Sequence, residues 1–367
     1  MTGSATEGAT RTHRIAAIPG DGIGVEVTTA ARSVLDAAGQ AYGFGLDWHE
    51  FDWGCARYAS TGEMMAADGL DRLADFDAIF LGAVGYPGVP DHVSLWGLLI
   101  PIRRAFDQYV NLRPVRLLPG VRSPLAGRGA ADIDMVIVRE NSEGEYSQIG
   151  GRHGTGTERE SAIQEAIFTR TGVQRIIEFA FVEAAKRGGS VTSATKSNGI
   201  VHTMPFWDEI FAEVAARHPD VPSDQCHIDA LAARFVLDPG RIDVVVGSNL
   251  FGDILSDLAA AVAGSLGLAA SGNINPERAH PSMFESVHGS APDIAGKGIA
   301  NPIAQILAGA MMLQHLGETA AAERVSAAVD QVLGAAAVRT PDLGGRSSTE
   351  EVATAVCRHL DVGHPVG

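Results

Sequence analysis

The sequence predicts an α/β fold with covered sheets. Three observations carry that prediction. Short apolar, β-branched runs end in turns, longer helical patterns alternate with them, and a chain of 367 residues, 46% hydrophobic and 20% charged, is too long for one ordinary core. Strands are expected at "RIAAI", "DAIFLGAVG", "IDMVIVREN", "SVTSATKSN" and "IDVVVGSNLFGD". Helices are expected from Glu26 to Ala38, Leu95 to Phe106, Gly172 to Arg187, Pro205 to Arg217, Asp253 to Leu266, Pro302 to Leu316 and Ala320 to Ala337. The segment "GGRHGTGTERESAIQEAIFTR" interrupts the alternation with a Gly-rich turn and short candidate strands, as an arm used in assembly would. Residues 1–13 lack the apolar core of a signal peptide and read as a disordered tail.

The first strand runs into "PGDGIG", with glycines at 20, 22 and 24. A Rossmann fingerprint needs G-x-G-x-x-G, and its last position here is Val25. The acidic residue expected about 20 positions on could be Asp47, Glu50 or Asp52. The stretch is therefore either a dinucleotide loop or an ordinary strand-to-helix turn.

A formal charge of −16 argues against nucleic acid as a partner, since phosphate binding needs a basic face. An anionic ligand must meet a local basic patch instead. Seven arginines against three acids lie between Arg103 and Arg139. Arg104, Arg116, Arg122 and Arg128 read as solvated charges, whereas the arginine of "NLRP", Arg113, does not. Only Lys186, Lys196 and Lys297 are lysines among 28 basic residues, which marks them as sites where a compact or deprotonatable ammonium is wanted. Lys186 sits where a helix C-terminal cation belongs. Cys55, Cys226 and Cys357 match neither a disulfide framework nor a metal site, so a reducing cytoplasm is expected. No apolar run reaches the ~20 residues of a membrane span.

Four stretches carry candidate chemistry. In "NLFGDILSDL", Asp253 opens the expected helix and Asp257 follows one turn later, so both carboxylates can face one hard cation; alternatively Asp253 only caps the helix. "VRENSEGEY" ends a strand with Arg139 and reaches Tyr146, and "TKSNG" carries Lys196. A Tyr and a Lys brought together could relay a proton, although neither Tyr-x-x-x-Lys nor a Walker A pattern is present. "FESVHGSAPDIAGKGIANP" is a long glycine loop able to bend around a ligand.

Taken in order, "PGDGIG", "NLRP", "VRENSEGEY", "TKSNG", "HIDA", "NLFGDILSDL" and "HGSAPDIAGKGIANP" resemble the metal-dependent decarboxylating β-hydroxyacid dehydrogenases, which include 3-isopropylmalate, isocitrate and tartrate/D-malate dehydrogenases. The resemblance runs from about Arg14 past Asn301. It implies an isopropylmalate dehydrogenase-like two-domain fold with a central mixed sheet flanked by helices, not a Rossmann fold. Residues 1–108 with 264–367 would form the cofactor domain and 109–263 the substrate, metal and dimerisation domain, with the arm at about 148–170 and the active site in the cleft.

The resemblance also implies roles. Arg103, Arg113 and Arg139 would clamp substrate carboxylates, beside Leu99. Asp253 and Asp257, with Asp229 from the other subunit, would hold Mn²⁺ or Mg²⁺, with K⁺ a candidate activator. Tyr146, Lys196 and Asp229 would be catalytic. NAD would meet Ile23, Glu285, His288, Gly289, Ser290, Ala291, Asp293, Ile294 and Asn301. The partners implied are a small dicarboxylate hydroxy acid and a second copy in a homodimer with shared active sites, with neither nucleic acid nor membrane. The segment "PDHVSLWG" is most similar to the tartrate/D-malate branch, which implies NAD-dependent oxidation and decarboxylation of D-malate to pyruvate and CO₂, or tartrate oxidation. The alternative is 3-isopropylmalate; isocitrate enzymes carry Ser and Asn where Gly97 and Leu99 stand. A non-catalytic regulatory subunit of this fold would be expected to lose catalytic groups, and all are intact.

Overall fold

The computed structural model describes residues 11–360. In chain order it begins with β1 (Arg11–Gly20), α1 (Gly24–Tyr42), β2 (Phe44–Glu50), α2 (Cys55–Thr61), α3 (Gly69–Leu73), β3 (Ala78–Ala83) and α4 (Asp91–Ser94). A π-helical turn, Leu95–Leu99, leads into α5 (Ile100–Ala105), β4 (Val110–Arg116), β5 (Asp134–Glu140), β6 (Gly150–His153) and β7 (Ser161–Gln164). Then come α6 (Arg170–Arg187), β8 (Val191–Thr195), α7 (Thr203–Ala215), β9 (Ser223–His227), α8 (Ile228–Leu237), β10 (Val244–Gly247), α9 (Asn249–Val262) and β11 (Ala270–Ile274). The chain closes with β12 (Ser282–Ser286), α10 (Ile303–Leu316), α11 (Thr319–Ala335) and α12 (Thr349–Arg358).

Among the described residues two compact units result, one of residues up to Ser94 together with those from Phe284 on, the other Leu95–Met283. The sequence boundaries at 108/109 and 263/264 differ from this division. Residues 95–108 and 264–283 group with the second unit, because α5 feeds directly into β4 and β11 pairs with β4. In the first unit β1 lies between β2 and β3, parallel to both, and β12 follows β3. Every residue of β3 is buried, as expected where helices cover both faces of a parallel strand. Here α1 packs on β3 and against α10, α11 and α12.

The second unit is mixed: β11, β4 and β5 are antiparallel neighbours, and β5, β10, β8 and β9 run parallel. Pro114 is tolerated in β4 because pairing with β11 stops at Leu112, so its missing N–H removes no ladder bond on that side. Phe181, Trp207 and Phe235 are fully buried in the core that α6, α7, α8 and α9 close over the sheet. The fold is thus the mixed-sheet α/β arrangement that the resemblance implies.

Three expectations need correcting. Residues 11–13 belong to β1 rather than to a tail, because His13 Nε2 lies 2.8 Å from Glu318 and Arg11 pairs with the same carboxylate; the rest of that tail lies outside the described residues. Asp253 does not open or cap its helix: α9 starts a turn earlier, where Ser248 Oγ accepts from the Phe251 N–H. The expected helix from Leu95 to Phe106 starts earlier, at Asp91, and its residues Leu95–Leu99 form a π-helical turn before α5. The stretch expected as an arm holds the antiparallel pair β6–β7, with Ile149, Ile163 and Ile167 exposed.

Candidate active site

The site in the second unit is built on two neighbouring strands. Side chains alternate along a strand, so Asn111 and Arg113 on β4 share a face with Arg139 and Asn141 on and just beyond β5, where Asn111 stands opposite Arg139. Arg103 from α5 joins them, and these three guanidinium-bearing residues are only 8%, 7% and 5% exposed for 103, 113 and 139. Buried charges require partners. Helix α9 supplies them for Arg113 and Arg139, and Gly252 lets it approach: a Cβ there would stand 2.5 Å from the Arg139 Cβ. Asp253 then forms an ion pair with Arg139 and lies 3.6 Å from Arg113, while Asp257, one turn on, lies 3.5 Å from Arg113.

Tyr146 enters from the turn after β5 and donates its phenol to Asp253 Oδ2 at 3.0 Å. Two carboxylates fasten that turn. Glu140, fully buried, accepts from Ser142 N, Ser142 Oγ and Glu143 N at 2.7–3.0 Å. Glu145 accepts from Ser248 Oγ and Leu250 N, tying the turn to the start of α9 where the helix dipole favours an anion.

Burial, and then repulsion from Arg113, pushes Arg139 down to about 10, with Asp253 opposing; it stays charged at neutral pH. Burial raises Tyr146, Asp253 raises it further, and Arg139 opposes. Its proton is therefore retained and available for donation. Asp257 is raised by desolvation and by Asp253 against the pull of Arg113. Two carboxylates one turn apart provide oxygen donors alone, the set that suits Mg²⁺ or Mn²⁺. Among the described residues no three His, Cys, Asp or Glu side chains come together as a metal-holding group.

A cavity of about 190 Å³ is lined by Leu95, Ile100 and Asn141, by Arg103, Arg104, Arg113 and Arg139, and by Ser142, Tyr146, Asn249 and Asp253. It is smaller than the ~300–1,000 Å³ of drug-sized sites, so it suits a small acid. Leu99 is not part of the lining, since the wider π-helical turn re-phases the side chains and puts Leu95 and Ile100 there instead. Arg104, expected to be merely solvated, lines the cavity and donates to the Tyr146 carbonyl at 2.9 Å. Trp96 lies beneath Arg104, 5.1 Å from its guanidinium, and outside the lining. Lys196 pairs with Asp229 at 2.6 Å and lowers its pKa, so within the chain the lysine meets Asp229 and the tyrosine meets Asp253. Asparagines 111, 141 and 249 and Ser256 escaped the sequence reading. The period of two from Arg113 and the i−4 offset from Asp253 are the signals that could have found Asn111 and Asn249.

In the first unit "PGDGIG" and "HGSAPD" lie against each other. The Ile23 N–H donates to Ser290 O at 2.8 Å, and the Ile23 side chain packs with Val27, Ala300, Ala291 and Ile294. Gly22 has φ +57°, and a Cβ there would stand 2.0 Å from Ser290 O, so only glycine lets the loops pass. Asp21 accepts from the N–H groups of Cys55, Ala56 and Gly85. Burial lowers His288, whose Nε2 is a buried polar atom with no protein partner, while Gly289 and Asp293 are exposed and Glu285 is buried. Asn301 donates to Asp342 at 2.9 Å. An open glycine loop with an orphaned imidazole nitrogen and an exposed carboxylate fits a polar, hydroxyl-bearing cofactor. No described helix is long and apolar enough to cross a membrane.

The isocitrate/isopropylmalate dehydrogenase family model matches residues 14–356. The D-malate dehydrogenase (decarboxylating) of Escherichia coli K12 is 55% identical over 356 residues, 95% of this chain and 98% of that protein. The tartrate dehydrogenase/decarboxylase of Pseudomonas putida is 54% identical over 352 residues, 94% of this chain and 96% of that protein. Among solved structures, isocitrate dehydrogenase from Methylococcus capsulatus has a TM-score of 0.86 at 38% identity, covering 95% of this chain and 99% of that one.

Proposed function

The chain belongs to the isocitrate/isopropylmalate dehydrogenase family, and from that premise we propose that it is an NAD- and divalent-metal-dependent dehydrogenase that oxidises D-malate at C2 and releases its β-carboxylate as CO₂, leaving pyruvate, with tartrate a close second substrate. The observation that carries this reading is the cavity: four arginines, Tyr146 and Asp253 around about 190 Å³, with Leu95 and Ile100 its only aliphatic lining. Arginines orient carboxylates by charge-assisted hydrogen bonds, each contributing ~1.5–3 kcal/mol. So little apolar wall suits a C3 bearing hydrogen or hydroxyl. Leu95 and Ile100 do favour 3-isopropylmalate as the second reading, because an apolar C3 group would contact them.

When bound, NAD⁺ supplies the hydride acceptor and a divalent ion polarises the hydroxyl and keto oxygens of the substrate. The chain's residues do the rest. Asp253 and Asp257 hold the ion together with Asp229 of a second subunit, whose Lys196 takes part in removing the C2 hydroxyl proton. Tyr146 Oη delivers a proton to the carbon that loses CO₂. Ile23 and the loop from His288 to Ile294, with Glu285 and Asn301, hold NAD, and Asp293 disfavours the 2′-phosphate of NADP by like charge. Exposed apolar side chains at Ile163, Val201, Leu237 and Ile254 of the second unit support a homodimer formed through it.

The test is NAD⁺ reduction with Mn²⁺ across D-malate, the tartrate isomers, 3-isopropylmalate and isocitrate. D-malate or a tartrate is expected to show the highest kcat/KM. A lead of about thirtyfold for 3-isopropylmalate, the value of burying an isopropyl group, would overturn the substrate and leave the reaction.

A further inference from the structure

Arg113 and Arg139 share a feature that the reaction reading does not use. Each has the Nε edge of its guanidinium held by a buried asparagine carbonyl. Asn111 Oδ1 accepts from Arg113 Nε at 2.7 Å. Asn249 Oδ1 accepts from both Nε and Nη2 of Arg139, at 3.0 and 2.7 Å. Neither asparagine can turn. The amide nitrogen of Asn111 donates to Ser271 Oγ and Asn273 Oδ1 at 2.8 and 2.9 Å, and Asn273 Oδ1 also accepts from Asn141 Nδ2 at 3.0 Å. A row of amides across β11, β4 and the end of β5 thus fixes the first; the second donates from Nδ2 to Glu143 O at 3.2 Å. Asn111 is 0% exposed and Asn249 4%.

We propose that Asn111 and Asn249 are positioning residues of a dicarboxylate clamp, which orient Arg113 and Arg139 without neutralising them. This rests on the reading of the cavity as a dicarboxylate site. A guanidinium presents five donors in one plane, so fixing its inner edge sets the plane and leaves the remaining N–H groups for other acceptors. An amide carbonyl does this with no net charge. A carboxylate in the same place would orient the arginine equally well and cancel its charge, and in a chain of net charge −16 a dianion depends on that local positive potential. Arg113 Nη1 also donates to Ser256 Oγ at 2.5 Å, and the carboxylates beside the two arginines, Asp253 and Asp257, are those assigned to a divalent ion. Contacts through asparagine carry no such competing duty, so they can hold the arginines in every state of the site.

The decisive variants are Asn249→Asp and Asn249→Ala in the full-length protein, since Asn249 sits in the first turn of α9, where an aspartate is compatible with the helix. Asn111→Asp is secondary, because it also disturbs the buried amide row. Binding of D-malate and of tartrate is measured by calorimetry, alongside KM and kcat for the acid, KM for NAD⁺ and Tm. Asn249→Ala is expected to raise Kd and KM for the acid by about tenfold, one charge-assisted hydrogen bond's worth of orientation, with KM for NAD⁺ unchanged. Asn249→Asp, which also loses the Nδ2 donor to Glu143 O, is expected to weaken the acid about as much, with some loss of Tm. Asn249→Asp with wild-type acid affinity, or losses that fall equally on acid and NAD⁺, overturns the proposal. Wild-type protein that binds neither acid overturns the dicarboxylate reading itself, and the positioning role with it.

Discussion

The two units hold their ligand-facing groups by opposite means. Around the cavity of the second unit, charged side chains hold one another: buried Arg113 and Arg139 against half-buried Asp253 and exposed Asp257, each arginine backed by an asparagine. In the first unit the facing loops are held by the main chain, through Ile23 N to Ser290 O and the backbone donors gathered by Asp21. The difference teaches where each is vulnerable. A charged cavity fails when a charge is removed, whereas a loop seated on a loop fails when an atom is added.

The largest effect is expected for Asp253→Asn, which deletes a charged oxygen from the ligands proposed for the ion and a partner from two arginines. Lewis-acid stabilisation is worth several kcal/mol, so kcat should fall by about a hundredfold to a thousandfold, with weaker Mn²⁺ binding by calorimetry. Full activity of chelated wild-type protein would break this side of the comparison.

A matched pair of glycine substitutions sharpens it. In Gly252→Ala the new Cβ meets Arg139 Cβ at 2.5 Å, and in Gly22→Ala it meets the Ser290 carbonyl at 2.0 Å with φ at +57°. Each clash should cost ~1–3 kcal/mol of stability. Steady-state kinetics should then separate them: Gly252→Ala raises KM for the acid, Gly22→Ala raises KM for NAD⁺. Crossed effects would show that the units do not divide the work in this way.

The smallest effect bounds the comparison from inside the second unit but away from its cavity. Burial raises the Glu178 carboxyl, yet hydrogen bonds from His218 and Arg217 outweigh it and hold its pKa below the ordinary value of 4.5. A lowered folded pKa means that the contribution is complete above 4.5 and is lost as pH falls through the lowered value. Because Glu178 is 39% exposed, Glu178→Gln should lower Tm at pH 7 by no more than about 2 °C. The difference from wild type should shrink at acid pH, with acid and NAD⁺ kinetics unchanged. A change in KM for the acid would show that charge pairing matters throughout the unit rather than at the cavity.

Much of the architecture was legible in the sequence. Uninterrupted apolar runs such as "DAIFL" and "DVVV" become β3 and β10, buried on both faces, and helical periodicity located α1, α6, α7, α10 and α11. Edge and mixed-pattern strands were not legible: β2, β9, β11 and β12 have no clean period because their neighbours, not their composition, decide their burial. Of the site, the spacing of Asp253 and Asp257 and the arginine cluster were readable, since period and charge are local properties.

What only the tertiary structure decided is which side chain meets which. Arg104 reads as solvated charge, yet α5 brings it to the Tyr146 carbonyl; Leu99 reads as a pocket residue, yet a π-helical turn re-phases it. Asn111 and Asn249 are ordinary residues in the sequence and become the backing of two arginines, because strand pairing and the close approach of α9 at Gly252 bring them there. The sequence by itself determined the alternation of strands and helices, the cation-friendly carboxylate pair and the anion-friendly arginines, all of which depend on residues a few positions apart. The orientation of those groups depends on contacts between residues as far as 162 positions apart, as between Asn111 and Asn273, and such contacts exist only once the apolar core has closed and desolvation penalises a buried polar group without a partner.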